Sequence, residues 1–279
     1  MPLINFALVS KERPIGVFDS GIGGLTVAKA IRRALPNESI VYFGDTAHVP
    51  YGDKSPELIR RYSKGITQFL LDKHCKAIVI ACNTASAHAY AVVREMVPDH
   101  IPVVNVIDPV VEEVASKYAK GKIGIIGTKG TVRSRVYVNR IKKANPKLEV
   151  VSQSTPLLAP MIEEGFYDNN ISKTIISAYL NTSRLKKLDA LVLGCTHYPL
   201  IKREVTSFCP ESTEVLDSSE LTATHLKGIL KKMKMLNPSQ THQPDHFYIS
   251  DYTASFNKNA SRFFKAEVKV EEVRLWDKK

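Results

Sequence analysis

Three observations predict an α/β fold built from two similar doubly wound domains. Short β-rich apolar runs alternate with stretches of helical spacing, the pattern of βαβ units on mainly parallel sheets. Two runs end alike: AIVIACNTAS over 77–86 and ALVLGCTHYP over 190–199 each pass from an apolar run through a small residue to a cysteine and a polar cluster. Landmarks also recur at nearly one offset. Ile123 of IGII stands 108 positions after Ile15 of IGVF, Cys195 stands 113 after Cys82, and Asp217 of TEVLD stands 109 after Asp108 of VNVID. An internal duplication accounts for all three, with halves of about 110 residues, inside the usual domain range. Halves facing each other about a pseudo-two-fold axis would bring both cysteines to one cleft.

The elements follow in order. Residues 14–19 (PIGVFD) read as a buried strand, 20–24 (SGIGG) as a loop, and 25–35 as a helix. Glycines let the backbone approach a ligand, and the helix N-terminus offers free N–H groups. A second strand spans 39–43, and GDTAHVPYG over 44–52 is a loop rich in turn formers. The spacing of Leu58, Ile59, Tyr62, Ile66, Phe69 and Leu70 predicts a helix over 55–73. The strand before Cys82 precedes a helix over 84–96 and a strand over 102–107. A helix over 110–118 opens the second half, with strands at 122–126, 148–152, 190–194 and 213–217. PLLAPMIEEG forms a loop and short helix, and 171–180 a longer one. Beyond them, a helix is expected over 219–235, a polar linker over 237–245, a strand over 247–250, a helix over 253–264 and a strand over 268–273.

At 279 residues the chain is long enough for a substantial core, and 44% hydrophobic with 24% charged residues is ordinary for a globular protein. No apolar run approaches the roughly 20 residues of a membrane helix. The N-terminal MPLINFALVSKER lacks a basic n-region and does not read as a signal peptide, so a cytoplasmic location is expected. The four cysteines, 75, 82, 195 and 209, form no CxxC pair and show no zinc spacing, so no metal site is expected. The net charge of +11 is spread along the chain. Such a surface can steer an anionic substrate. No aromatic-plus-basic RNA-binding motif is present, and no specific nucleic-acid partner is expected.

One cysteine at a strand end is ordinarily a core residue. Two in matched contexts suggest two-base proton transfer: one thiolate removes a proton from one face of a carbon, and the opposing thiol returns one to the other face. A free thiol has a pKa of about 8.5 and needs help at neutral pH. His197 lies two residues after Cys195, and Asp19 would share a sheet edge with Cys82. Either could assist a thiol. The Asp19-Ser20-Gly21 loop, Asn83-Thr84 and Thr196 offer donors for the charge left on the substrate. Tyr51-Gly52 could close the cleft.

FDSGIGGLTV (18–27), GDTAHVPYG (44–52), IACNTA (80–85), GTKGTVRSRVY (127–137) and LGCTHYP (193–199) together resemble the glutamate racemase family of the aspartate/glutamate racemase superfamily, from about residue 14 to 217. The resemblance implies a cofactor-independent enzyme that interconverts L- and D-glutamate and supplies D-glutamate for peptidoglycan synthesis. It implies catalytic roles for Cys82 and Cys195, one acting on each enantiomer. It also implies substrate binding by Asp19, Ser20, Tyr51, Gly52, Asn83, Thr84, Thr196 and His197, with Asp19 and His197 assisting the thiols. Glu163 matches a family acid near the second thiol. In the family fold the C-terminal segment packs back on the first domain. The expected division is therefore 14–108 plus 218–279, then 109–217, with 1–13 as an extension. The expected partners are glutamate and a second copy of the chain in a homodimer. His48 and Val49 depart from the Arg and Cys of many family members, a change at the cleft mouth.

Other readings fit less well. A cysteine phosphatase needs C-x5-R, but His88 and Ile201 stand at the sixth position after each thiol. A nucleotide-binding module would use Gly21-Ile22-Gly23-Gly24 with Asp45 as the ribose acid, but Thr26 stands where a glycine is required, and the paired cysteines stay unexplained. Aspartate, one methylene shorter, is the competing substrate.

Overall fold

The structure is a computed structural model that describes residues 10–239, 243–252, 256, 260–261, 264 and 268–276. The chain runs β1 (Ile15–Asp19), α1 (Leu25–Ala34), β2 (Ile40–Gly44), α2 (Pro56–Asp72), β3 (Ala77–Ile80), α3 (Asn83–Met96) and β4 (Val103–Asn105). The second half follows with α4 (Asp108–Lys117), β5 (Gly121–Gly127), α5 (Lys129–Ser134), α6 (Val136–Ala144), β6 (Leu148–Ser154), α7 (Leu158–Glu163) and α8 (Asn170–Leu180). It ends with β7 (Ala190–Gly194), α9 (Lys202–Ser207) and β8 (Glu214–Asp217). Last come α10 (Ser218–Lys232), β9 (His246–Ile249) and β10 (Val270–Glu272).

The strands form two sheets, ordered β10-β9-β2-β1-β3-β4 and β6-β5-β7-β8. Every described pairing is parallel. The order β2-β1-β3-β4 in one sheet therefore recurs as β6-β5-β7-β8 in the other. Helices cover the sheets, and the central strands β1, β3 and β7 are buried throughout. Burial on both faces explains why these strands read as unbroken apolar runs rather than alternating ones.

Local chemistry sets the ends of the elements. The Ser55 hydroxyl accepts from the Leu58 amide at 3.4 Å, with Pro56 in the first turn, and so starts α2. Asn169 and Ser172 form a capping box on α8. The strand expected over 102–107 stops at Asn105, because the Asn105 side-chain carbonyl accepts the amides of Ile107 and Asp108 at 2.9 and 3.0 Å. That turn takes the two N–H groups a longer strand would place on its ladder. The helices α5, α6 and α9 fill stretches where the sequence reading placed no element.

The segment after β8 returns to the first sheet. The chain's β9 pairs with β2, and Asp245 accepts the Ile40 amide at 2.9 Å. A buried ion pair, Lys76–Glu38 at 2.5 Å, anchors the end of this crossover. Lys76 also donates to the Met235 carbonyl at 2.9 Å, and Glu38 accepts the Asn237 amide at 2.9 Å. Removing either charge would leave the other buried and unpaired, at a cost of about 3–5 kcal/mol. Most of the helix expected over 253–264, and residues 1–9 of the extension, lie outside the described residues. Among the described residues no helix is long and apolar enough to cross a membrane.

Candidate active site

Cys82 follows β3 and Cys195 follows β7, strands that hold the same place in their two sheets. Ligands in open parallel sheets bind beyond the carboxyl ends of strands. There the structure has a cavity of about 160 Å³. That is well under the roughly 300–1,000 Å³ of sites for drug-sized ligands, and suits a small metabolite. Ten residues singled out in the sequence line it: Ser20, Tyr51, Gly52, Cys82, Asn83, Thr84, Glu163, Cys195, Thr196 and His197. Asp19 is fully buried behind this wall. Val49, expected at the cleft mouth, lines it too, and Pro50, Thr128, Ala159 and Pro160, which were not anticipated, complete the lining.

The first thiol is set by a helix start. Cys82 is the N-cap of α3, and its sulfur accepts from the Ala85 amide at 3.5 Å while donating to the Ser20 hydroxyl at 3.6 Å. Burial pushes the Cys82 thiol up to about 12, the Asp19 charge adds to the rise, and the Ala85 amide and Ser20 hydroxyl pull against it. Cys82 therefore rests as a thiol. Asp19 shares its sheet edge, but its hydrogen bonds go elsewhere. One oxygen accepts the Gly21 and Gly24 amides at 3.1 and 3.0 Å; the other accepts the Thr196 hydroxyl at 3.5 Å. Asp19 thus shapes the loop that carries Ser20 and reaches across to the second thiol's loop.

The second thiol has an ionisable partner. Cys195 Sγ lies 3.6 Å from His197 Nδ1, and His197 Nε2 lies 2.7 Å from Glu163 Oε1. Burial alone would lower His197, but its bonds to Cys195 and Glu163 outweigh that and hold it well above its ordinary value. That direction favours an imidazole that donates to the sulfur through Nδ1. Gly23 makes room for it, since a Cβ there would come within 2.5 Å of the His197 ring.

The remaining wall is polar and fixed. Asn83 Oδ1 accepts the Tyr137 hydroxyl at 2.7 Å, while Asn83 Nδ2 is a buried donor without a partner. Such groups are rare, and a bound ligand is one way to satisfy them. The Thr84 hydroxyl meets those of Thr128 at 2.9 Å and Thr131 at 3.1 Å, across the junction of the two halves. Tyr51 donates to Asp45 at 2.6 Å. Among the described residues no Lys or Arg lines the cavity, so an anionic ligand would be held chiefly by dipoles, with the N-terminal amides of α3 foremost, beside His197. Among the described residues no three His, Cys, Asp or Glu side chains are placed to hold a metal ion.

Residues 15–226 match the family model for Asp/Glu/hydantoin racemases. The chain is 45% identical over 251 residues to the glutamate racemase of Geobacter metallireducens, covering 90% of this chain and 92% of that protein. It is 48% identical over 217 residues to the glutamate racemase of Aquifex aeolicus, covering 78% and 83%. The crystal structure of the Francisella tularensis glutamate racemase in complex with D-glutamate superposes with a TM-score of 0.89 at 39% identity, covering 96% of this chain and all of that one. The chain belongs to the Asp/Glu/hydantoin racemase family, and its enzyme class is that of an amino-acid racemase, an isomerase.

Proposed function

We propose that this racemase interconverts L- and D-glutamate without a cofactor, by proton transfer at Cα between Cys82 and Cys195. The observation that carries the reading is the pair of thiols on one small cavity, each from the equivalent strand end of its own sheet. The Geobacter and Francisella proteins, both glutamate racemases, support the substrate.

In one direction, the thiolate of one cysteine takes the Cα hydrogen as a proton. The bonding pair stays on the substrate, delocalised into its α-carboxylate. The opposing thiol then delivers its own proton to the other face, and the configuration inverts. The sulfur that gave the proton ends as thiolate and the other as thiol, so the next turnover in that direction needs the two to exchange protons with solvent. His197, backed by Glu163, donates to the Cys195 sulfur and favours negative charge there. The Ala85 amide does the same for Cys82, and the Ser20 hydroxyl, which accepts from the thiol, turns to donate to the thiolate. Asp19 positions the loop around Ser20 and Thr196. The amides of Asn83 and Thr84 at the start of α3, the Asn83 side-chain donor and the Thr196 hydroxyl bind the substrate's carboxylates. Tyr51 and Gly52 form the wall opposite.

The same reading makes the product a building block for peptidoglycan, places the enzyme in the cytoplasm and gives it a homodimeric state. It divides the chain into domains 14–108 with 218–279, and 109–217. The test is incubation with L-glutamate in D2O without pyridoxal phosphate, following optical rotation and Cα deuteration together. Loss of rotation with deuterium incorporation is expected. Faster racemisation of aspartate would reassign the substrate. Inertness of both amino acids in folded protein would overturn the proposal.

A further inference from the structure

The cavity wall formed by Val49, Pro50, Tyr51 and Gly52 is built on a carboxylate outside the cavity. Asp45 is fully buried, and among the described residues no Lys or Arg pairs with it, yet it receives several donors. The Tyr51 hydroxyl donates to it at 2.6 Å, the Ser250 hydroxyl at 2.7 Å, and the Trp276 indole N–H at 2.9 Å. His48 Nδ1 lies 3.0 Å from both of its oxygens. A buried carboxylate is tolerable when its lone pairs are filled this way.

Two of these donors come from the far end of the chain. Ser250 follows β9, and Trp276 lies beyond β10. The indole ring meets His48 edge-on at 5.0 Å and Tyr62 edge-on at 5.3 Å, while His48 stacks on Tyr62 at 3.8 Å. Gly65, in the middle of α2, leaves the space: a Cβ there would come within 2.8 Å of the Trp276 ring. A glycine inside a helix weakens it. Here the weakness is matched by a seat for the only tryptophan in the chain. A further tie runs alongside, where the Ala47 amide donates to the Ser250 hydroxyl at 3.0 Å.

We propose that Asp45, gripped by Trp276 and Ser250, is a positioning residue for the substrate cavity. The C-terminal segment acts as a strap that sets the wall at Tyr51, and through it the fit of the substrate over the two thiols. None of these three side chains lines the cavity. They act through Tyr51, so loosening the strap weakens binding more than chemistry. This rests on the glutamate reading only for the nature of the substrate.

Two variants test it. Trp276→Phe keeps an aromatic ring and removes the N–H; Ser250→Ala removes the second C-terminal donor. In each, KM for glutamate rises several-fold with kcat little changed. In the absence of substrate, iodoacetamide labels Cys82 and Cys195 several-fold faster than in the parent protein, while buried Cys75 stays unlabelled. Unchanged labelling of the two cavity thiols and unchanged KM in both variants would overturn the proposal. If Trp276→Phe exposes Cys75 as well, the whole fold has loosened, and Ser250→Ala decides the matter by the same criteria. If the parent protein does not turn over glutamate, the substrate reading fails, and the labelling pattern still judges the strap.

Discussion

Cys82 and Cys195 stand at equivalent positions in two sheets of one strand order, yet they are held by different chemistry. Around Cys82 the groups are neutral: a helix N-terminus, a backbone amide and a serine hydroxyl, with the Asp19 charge opposed to ionisation. Around Cys195 the first neighbour is an imidazole whose bonds to the Cys195 sulfur and to Glu163 favour its charged form. Topology thus fixes where a thiol sits, and the residues that follow decide how it is handled. A reaction that must run both ways needs matched positions but not matched neighbours.

The comparison can be broken most sharply at the sulfurs themselves. Cys82→Ser and Cys195→Ser should each lower racemisation by at least about a hundredfold, the scale of losing a positioned acid or base. Circular dichroism should stay native in both. Racemisation near the parent rate in one of them would mean that the other thiol works alone. A smaller effect separates the two sites. His197→Asn should slow alkylation of Cys195 roughly tenfold at pH 7, the worth of one hydrogen bond to a charged group at about 1.5 kcal/mol. Cys82 should react as before, and equal slowing at both thiols would erase the distinction drawn here.

The smallest effect sharpens the comparison through pH. His197 is raised in the folded state, so its contribution to stability is fully present below its unfolded value of 6.5 and is lost as pH rises through the folded one. Glu163→Gln removes one cause of that rise. Its Tm should fall below that of the parent protein most clearly under pH 6.5, and the gap should close in alkaline buffer. A gap independent of pH would show that Glu163 serves packing alone.

Much of this was legible in the chain. The apolar runs and the offset of 108–113 residues located the strands and the paired thiols, because strands buried on both faces advertise themselves by composition. The polar residues just after each cysteine were legible for the same reason, since a strand end delivers them to one edge. Thr128 was not, because its place beside Thr84 arises only when the halves meet. Ala159 and Pro160 were missed for another reason: an apolar residue on a cavity wall looks like core in sequence. The pairing of Asp19 with Cys82 was read from their shared edge. The loop amides of Gly21 and Gly24 compete for that carboxylate and hold it, leaving Ser20 at the sulfur. The helices α5 and α6 escaped notice because Arg135, in the left-handed conformation, breaks their apolar rhythm between the two.

Among the described residues the cavity is lined without a lysine or arginine, although the chain as a whole carries a formal net charge of +11. Capture and retention of an anion are thereby assigned to different parts of the molecule. Distant cations draw it inward over a range of about 10 Å at 0.1 M salt. At the cavity, amide and hydroxyl dipoles and the His197 imidazole take over, and these are largely beyond the reach of counterions. Ionic strength should therefore govern how often an amino acid arrives and leave its residence time nearly untouched, so that the encounter adjusts to the surrounding medium while the chemistry proceeds in a constant setting.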